Sequence, residues 1–248
     1  MRLYLHQLKA EQLVYWRSRE AAVFTFIFPL LLFVLLGSVY SGRIYGVPAS
    51  QALLAALLAY GCAMVAFAGL SITLVLRREA AILKRLRATP LPPPVYILSL
   101  LSSTILVFLA EVVVLFLLGR AVFGTPFPVR AGSLVLVVVL GAVCFAAMGV
   151  GLSGLIRSGE GSSAVVNLIV LPMAFLTGAF GPTRHYPQFL RAIGDALPLK
   201  YLVDLSNAVY LHHQSFWSQG TAIGVLAAWG AVGVGVALAK FRWEPREA

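Results

Sequence analysis

The chain has 248 residues, of which 60% are hydrophobic and 11% charged, with a formal net charge of +10 and a mean hydropathy of +0.91. Soluble domains carry about 25% charged and about 45–50% apolar residues, so this composition excludes a soluble globular domain. It excludes a disordered chain as well, which needs low hydrophobicity, and two cysteines exclude a disulfide scaffold.

Residues 1–20 come first. Leu5, Leu8, Tyr15 and Trp16 share one helical arc with Tyr4 at its edge, while His6, Lys9 and Arg17 lie off it and Gln12 interrupts it. This pattern predicts an amphipathic helix lying in the membrane interface. The stretch lacks the long apolar core of a cleavable leader, and the first apolar run is long enough to span.

A transmembrane helix needs about 20 mostly apolar residues. Six segments qualify: 21–41, 50–76, 95–119, 133–156, 162–180 and 220–239. The first and fifth contain Pro29 and Pro172, each the mark of a kink supported by neighbouring helices. The fourth carries Gly141, Gly149, Gly151 and Gly154, small residues that let helices approach closely. Cys62 and Cys144 sit inside apolar runs and read as small core or lipid-facing residues. The fold class expected is therefore all-α: a polytopic membrane protein with six spans over 21–240, an interfacial helix over 1–20 and a tail over 241–248.

Lys and Arg set the orientation. Thirteen of the 19 fall in residues 2–19, 77–87, 157 and 240–246, which the six spans place on one side. Both termini and the connection between spans 2 and 3 are thus expected to be cytoplasmic. Because the basic residues flank apolar runs, they point to topology and anionic lipid headgroups, not to nucleic acid.

Two connections are more than loops. The first reads RREAAILKRLRATPLPP over 77–93. Ile82, Leu83 and Leu86 recur at helical spacing between Lys84, Arg85 and Arg87, and Thr89-Pro90 ends the run because a proline ring cannot continue it. The expectation is a short amphipathic helix along the membrane that transmits force from a cytoplasmic partner. The second connection, about 181–219, holds two apolar patterns at roughly 187–196 and 199–211, separated by Leu197-Pro198. Each is too short to span. Both are expected to re-enter or lie at the external leaflet.

Together these segments resemble the transmembrane domain of type-2 ABC transporters, the export class of drug, glycolipid and polysaccharide permeases. The family's cytoplasmic loop commonly reads R-E-x-x-x-L-x-x-L-x-x-T-P-L, and Arg78, Glu79, Leu83, Leu86, Thr89, Pro90 and Leu91 occupy those places. Residues 175–182, FLTGAFGP, resemble the family's end of span five. Pro198, Leu199, Tyr201, Val203 and Asp204 resemble the start of its second external helix. Lys200 and the run Leu205, Ser206, Asn207 depart from the family's usual residues there.

The resemblance implies a permease subunit of an ATP-driven exporter. It would move an amphiphilic or lipid-linked cargo (a drug-like compound, lipid or glycan) outward by alternating access. None of the four lysines follows a glycine, so the chain has no phosphate-binding loop of its own. ATP and magnesium would sit on a separate ABC ATPase, in two copies, docked on the 77–91 helix through Arg78, Glu79, Leu83, Leu86, Arg87, Thr89 and Pro90. A second permease chain, identical or not, would complete the usual twelve spans. Pro198, Tyr201 and Asp204 would form an external gate.

Inside the membrane, Glu111 needs a reason, because a charge at mid-span costs about 2.5–3.5 kcal/mol. It reads either as a group in the transport path or at a dimer contact, or as a structural carboxyl. Arg120, nine residues on, faces the opposite side of the helix, and Thr104 shares the face of Glu111. Asn167 reads as a helix-packing hydrogen bond or a path-lining group. His185, His212 and His213 have no Cys or carboxylate at ligand spacing, so no metal site is expected. Two other functions compete. A membrane-embedded lipid enzyme would use the external cluster of His185, Asp195, Asp204 and His212. An ATP-independent carrier would need more than one intramembrane charge or an internal repeat.

Overall fold

In a computed structural model, residues 2–40, 42–44 and 46–244 are described. The chain is an all-α polytopic membrane protein. Helix α1 (Arg2–Arg17) breaks at Ser18 and leads into α2 (Arg19–Val39). A two-residue hairpin follows, β1 (Arg43–Ile44) pairing antiparallel with β2 (Val47–Pro48). Next come α3 (Ala49–Cys62), a π-helical stretch (Ala63–Gly69) and α4 (Leu70–Glu79), which form one continuous rod. The rest of the chain builds α5 (Ile82–Arg87), α6 (Pro93–Phe123), α7 (Ala131–Leu155), α8 (Ser162–Leu176), α9 (Gln188–Ala196), α10 (Pro198–Tyr210), a short 3-10 turn (Phe216–Ser218) and α11 (Gly220–Lys240).

Among the described residues five helices are long and apolar enough to cross a membrane: Ala22–Val39, Ala49–Glu79, Pro93–Phe123, Ala131–Leu155 and Gly220–Lys240. They coincide with five of the six apolar runs. The remaining run, 162–180, differs, because its helix stops at Leu176 after 15 residues. The cause is local. Gly178 takes φ +82, its N–H bonds the carbonyl of Phe175, and the N–H of Ala179 bonds that of Ala174. Only glycine enters this left-handed turn without penalty, and the pair of bonds closes the helix end.

The α3–α4 rod is the centre of the bundle. Residues 52–62 are all buried, and α2, α6, α7 and α10 pack around them. The π-helical stretch lies where α7 comes closest: Ser71 Oγ donates to the carbonyls of Phe67 (2.6 Å) and Gly149 (2.9 Å). Wide turns of this kind recur at functional places in helices. At the periphery α2 exposes Val23, Phe24, Ile27, Leu31 and Leu35. That apolar surface suits lipid or another chain, not water.

Candidate functional site

The polar side chains gather in three places: the α5 end of the bundle, its interior, and the α10 end.

At the α5 end, helix α4 terminates in Arg77, Arg78 and Glu79, and each holds a different element. Arg78 is 2% exposed. Its Nη1 donates to the carbonyl of Ser153 at 2.8 Å and its Nη2 to that of Ile156 at 2.6 Å. These carbonyls belong to the end of α7, where the last turn has no partners of its own, and a guanidinium fork matches two acceptors at once. The Glu79 Oε1 accepts the N–H of Gly159 at 2.6 Å. The Arg-Glu pair is thus a latch on the α7–α8 connection.

Arg77 turns the other way. Its Nη2 pairs with Glu11 Oε2 at 2.7 Å and its Nη1 donates to Tyr96 Oη at 2.8 Å. Glu11, on α1, is buried. Further along α1, the Tyr4 hydroxyl donates to Ser102 Oγ at 2.8 Å, and Gln12 Nε2 donates to Ser103 Oγ at 2.9 Å. Helix α1 is therefore fastened across α6 by its polar positions. Of the expected stripe, Leu8 and Tyr15 are half-buried but Leu5 and Trp16 are about half exposed. Glu11 and Tyr96 were not singled out by the sequence, and Arg77 entered only as one of the basic residues of its connection. The signal lay in Gln12, whose break in the stripe marks a contact.

The expected docking helix over 77–91 is not one helix. It is interrupted at Ala81, whose φ is 55, and α5 covers six residues. Leu83 is fully buried, and Leu86 and Leu91 are half-buried against the core. With Arg78 and Glu79 latched to α7–α8, four of the seven proposed docking residues face their own protein. Arg87, Thr89 and Pro90 are exposed, and so are Ile82, Lys84 and Arg85. Thr89 Oγ1 donates to the carbonyl of Leu86 at 2.6 Å, which closes α5.

In the interior, Glu111 is 2% exposed. Its Oε1 lies over Gly61, where an added Cβ would stand 2.5 Å away, and its Oε2 has no hydrogen-bond partner. Arg120 is exposed, and its Nη1 donates to the carbonyl of Gly124 at 3.4 Å. Burying a charge with no partner is costly, so a neutral isostere should do as well or better. Glu111→Gln is expected to keep or raise the thermal unfolding midpoint in detergent. A fall equivalent to more than about 2 kcal/mol would mean that the carboxyl carries an interaction of its own. Asn167 is exposed on α8. It lines a groove of about 620 Å3 with Phe24, Phe28 and Pro29 of α2 and with Ala68 and Ile72 of the central rod.

At the α10 end, Pro198 opens α10 and is buried, Tyr201 is half-buried, and exposed Asp204 pairs with Lys200 at 2.5 Å. Leu199, Leu202, Val203 and Leu205 are buried, which seats α10 on α3 and α7. The Tyr210 hydroxyl donates to the carbonyl of Pro126 at 2.8 Å, and burial pushes its pKa up to about 12. Helix α9 points Phe189 and Ile193 outward. His185, His212 and His213 are exposed. Among the described residues no group of three or more His, Cys, Asp or Glu side chains gathers to hold a metal.

Comparison with known proteins bears on this arrangement. The chain is similar to the inner membrane transport permease YhhJ of Escherichia coli (strain K12) and to the protein of that name from Shigella flexneri. Each is 24% identical over 170 residues, which cover 68% of this chain and 46% of the relative. The match therefore spans about half the length of these relatives. The family model described as ABC-2 type transporter matches residues 3–211, a stretch that runs from α1 through α10 and includes the Arg-Glu latch, α5 and the Gly178 turn. The chain belongs to the ABC-2 type transporter family.

Proposed function

We propose that the chain is the permease subunit of an ATP-driven exporter in the inner or plasma membrane, not itself an enzyme. It moves an amphiphilic or lipid-linked substrate outward by alternating access. A separate ABC ATPase, in two copies with ATP and magnesium, drives it, and a second permease chain completes the pathway. Both termini and α5 are cytoplasmic. Helix α8 with the turn to residue 180 makes the fifth of six crossings, and α9 and α10 lie in the external leaflet, where Pro198, Tyr201 and Asp204, the last paired with Lys200, form the gate.

One observation carries this reading. Helix α5 offers Ile82, Lys84, Arg85 and Arg87 outward, while buried Leu83 and the Arg78–Glu79 latch hold its base against the bundle. A push on such a surface passes to α7 instead of being lost in a loose loop. Differential affinity of the ATPase pair for two arrangements of the spans supplies the drive.

The test is a pull-down of the tagged chain from native membranes in mild detergent, with mass spectrometry of what is recovered. A nucleotide-binding ATPase is expected in equal numbers. The double variant Ile82→Asp, Arg87→Glu should lose it while the chain unfolds at the wild-type temperature. Leu83→Asp is a different experiment, because a buried charge costs several kcal/mol and loosens the chain itself. Undiminished recovery of the ATPase by the double variant would remove α5 from the interface.

A further inference from the structure

The groove lined by Asn167 adjoins a second space, and the two share part of their lining. This inner chamber, about 290 Å3, lies between α1, α2, the central rod and α6. Ser18, Thr25, Val65 and Thr73 line both spaces and form the wall they share. The two differ in chemistry. The outer space is walled mainly by Phe24, Phe28, Pro29, Ala68 and Ile72, with Glu20, Ser163 and Asn167 as its own polar members. The inner one is also largely apolar, with Val14, Leu70 and Leu100, but it adds the hydroxyls of Tyr15, Ser103 and Thr104 to those of the shared lining, together with the Arg77–Glu11 pair.

The state of those groups narrows what fits. Arg77 is spent on Glu11 and Tyr96, so the chamber carries no net charge. An anionic head would have to pull Arg77 from buried Glu11, and a cationic head would do the reverse. Either leaves a buried charge without its partner, which is strongly unfavourable. The Tyr15 hydroxyl, in contrast, is buried and makes no hydrogen bond of good geometry, although the Thr25 side chain lies within interacting reach. A buried polar group left unpaired costs about 1–3 kcal/mol, so a ligand hydroxyl that meets Tyr15 gains what the protein alone leaves unmade.

We infer that the two spaces form one binding site for an amphiphile with an uncharged, hydroxyl-bearing head, the head seated beside Tyr15 and Thr73 and the tail running out between α2 and α8. The inner chamber suits a head the size of a glycerol or a single sugar ring. This inference deepens the transport reading and rests on it for its purpose, but the site stands on the geometry of this chain.

The test uses the full chain in phosphatidylcholine nanodiscs with no ATPase present. The probe is radiolabelled 1-oleoylglycerol, with oleate and oleylamine as charged competitors of the same chain. Saturable binding of 1-oleoylglycerol is expected, with oleate and oleylamine at least about tenfold weaker. Tyr15→Phe removes a hydroxyl that makes no well-formed hydrogen bond in the protein beyond its approach to Thr25, so its unfolding temperature should move little. Its affinity for the probe should fall about three- to tenfold, the worth of one hydrogen bond. Thr73→Val should act in the same direction. Absence of saturable binding, equal affinity in both variants, or oleate binding as tightly as 1-oleoylglycerol would each overturn the assignment. These outcomes are separate from recovery of the ATPase through α5, which can succeed while this site fails, and the reverse.

Discussion

Arg78→Ala should be among the most damaging single substitutions in the chain. The guanidinium is 2% exposed and donates to two carbonyls at the end of α7, those of Ser153 and Ile156. Hydrogen bonds from a charged donor are worth about 1.5–3 kcal/mol each, and truncation also leaves the acceptors dry and unpaired. The expected loss is about 3 kcal/mol or more, seen as a marked fall in the unfolding midpoint of the detergent-solubilised chain. Arg78→Lys should recover only part of it, since one ammonium on a flexible stem does not reproduce a planar fork across two acceptors. Arg87→Ala, on α5 and exposed, should leave the midpoint where it was. If Arg78→Ala unfolded with the wild type, the latch would have no energetic content. The mechanical link from α5 to α7 would then have to run elsewhere.

That latch also marks where the sequence stops being readable. The apolar runs are legible because the requirement is local: a stretch of about 20 apolar residues must satisfy its own backbone in lipid. Five runs accordingly became long helices. The remaining run, 162–180, was shortened by a turn at Gly178, whose glycine was visible in the sequence while its left-handed φ was not. The α5 connection was legible in its charges, its stop at Thr89-Pro90 and its apolar spacing. Whether Leu83 pointed to a partner or into its own bundle was not. An amphipathic pattern says that a face is covered and does not say by what.

The partners of Arg78 and Glu79 lie 75–80 residues away and are backbone groups, which have no letter in the sequence. The Glu11–Arg77 pair joins α1 to α4 across 66 residues. Composition showed a basic terminus there and concealed the one acid that fixes it. The inner chamber was invisible for the same reason, since its lining is assembled from side chains of α1, α2, the central rod and α6.

Gly233→Leu should have an effect of similar size through a different cause, the distance between α7 and α11. A Cβ added at Gly233 would stand 2.5 Å from the backbone nitrogen of Met148 and 2.7 Å from the carbonyl carbon of Ala147. From the other side, a Cβ at Gly151 would meet the Gly233 carbonyl oxygen at 2.7 Å. Here two backbones touch, and neither can turn aside as a side-chain tip would. Close approach of this kind is how helices associate in a medium as apolar as themselves. Overpacking a tight contact costs about 1–3 kcal/mol and sometimes more. Gly233→Ala should already lower the unfolding midpoint, and Gly233→Leu should separate the pair. Gly235→Ala is the control, because nothing lies within 4 Å of that position, and alanine there should be neutral or slightly stabilising. Equal midpoints for the 233 and 235 variants would show that α11 is held by its side chains and not by this seam. The expected outcome has a functional corollary. Helix α7 is clamped by Arg78 at its end and packed on α11 along its length, so in the mechanism proposed above α4, α7 and α11 would move as one body when α5 is pushed. Under that mechanism Gly233→Leu should reduce ATPase-driven transport even where α5, untouched, still recovers the proposed partner.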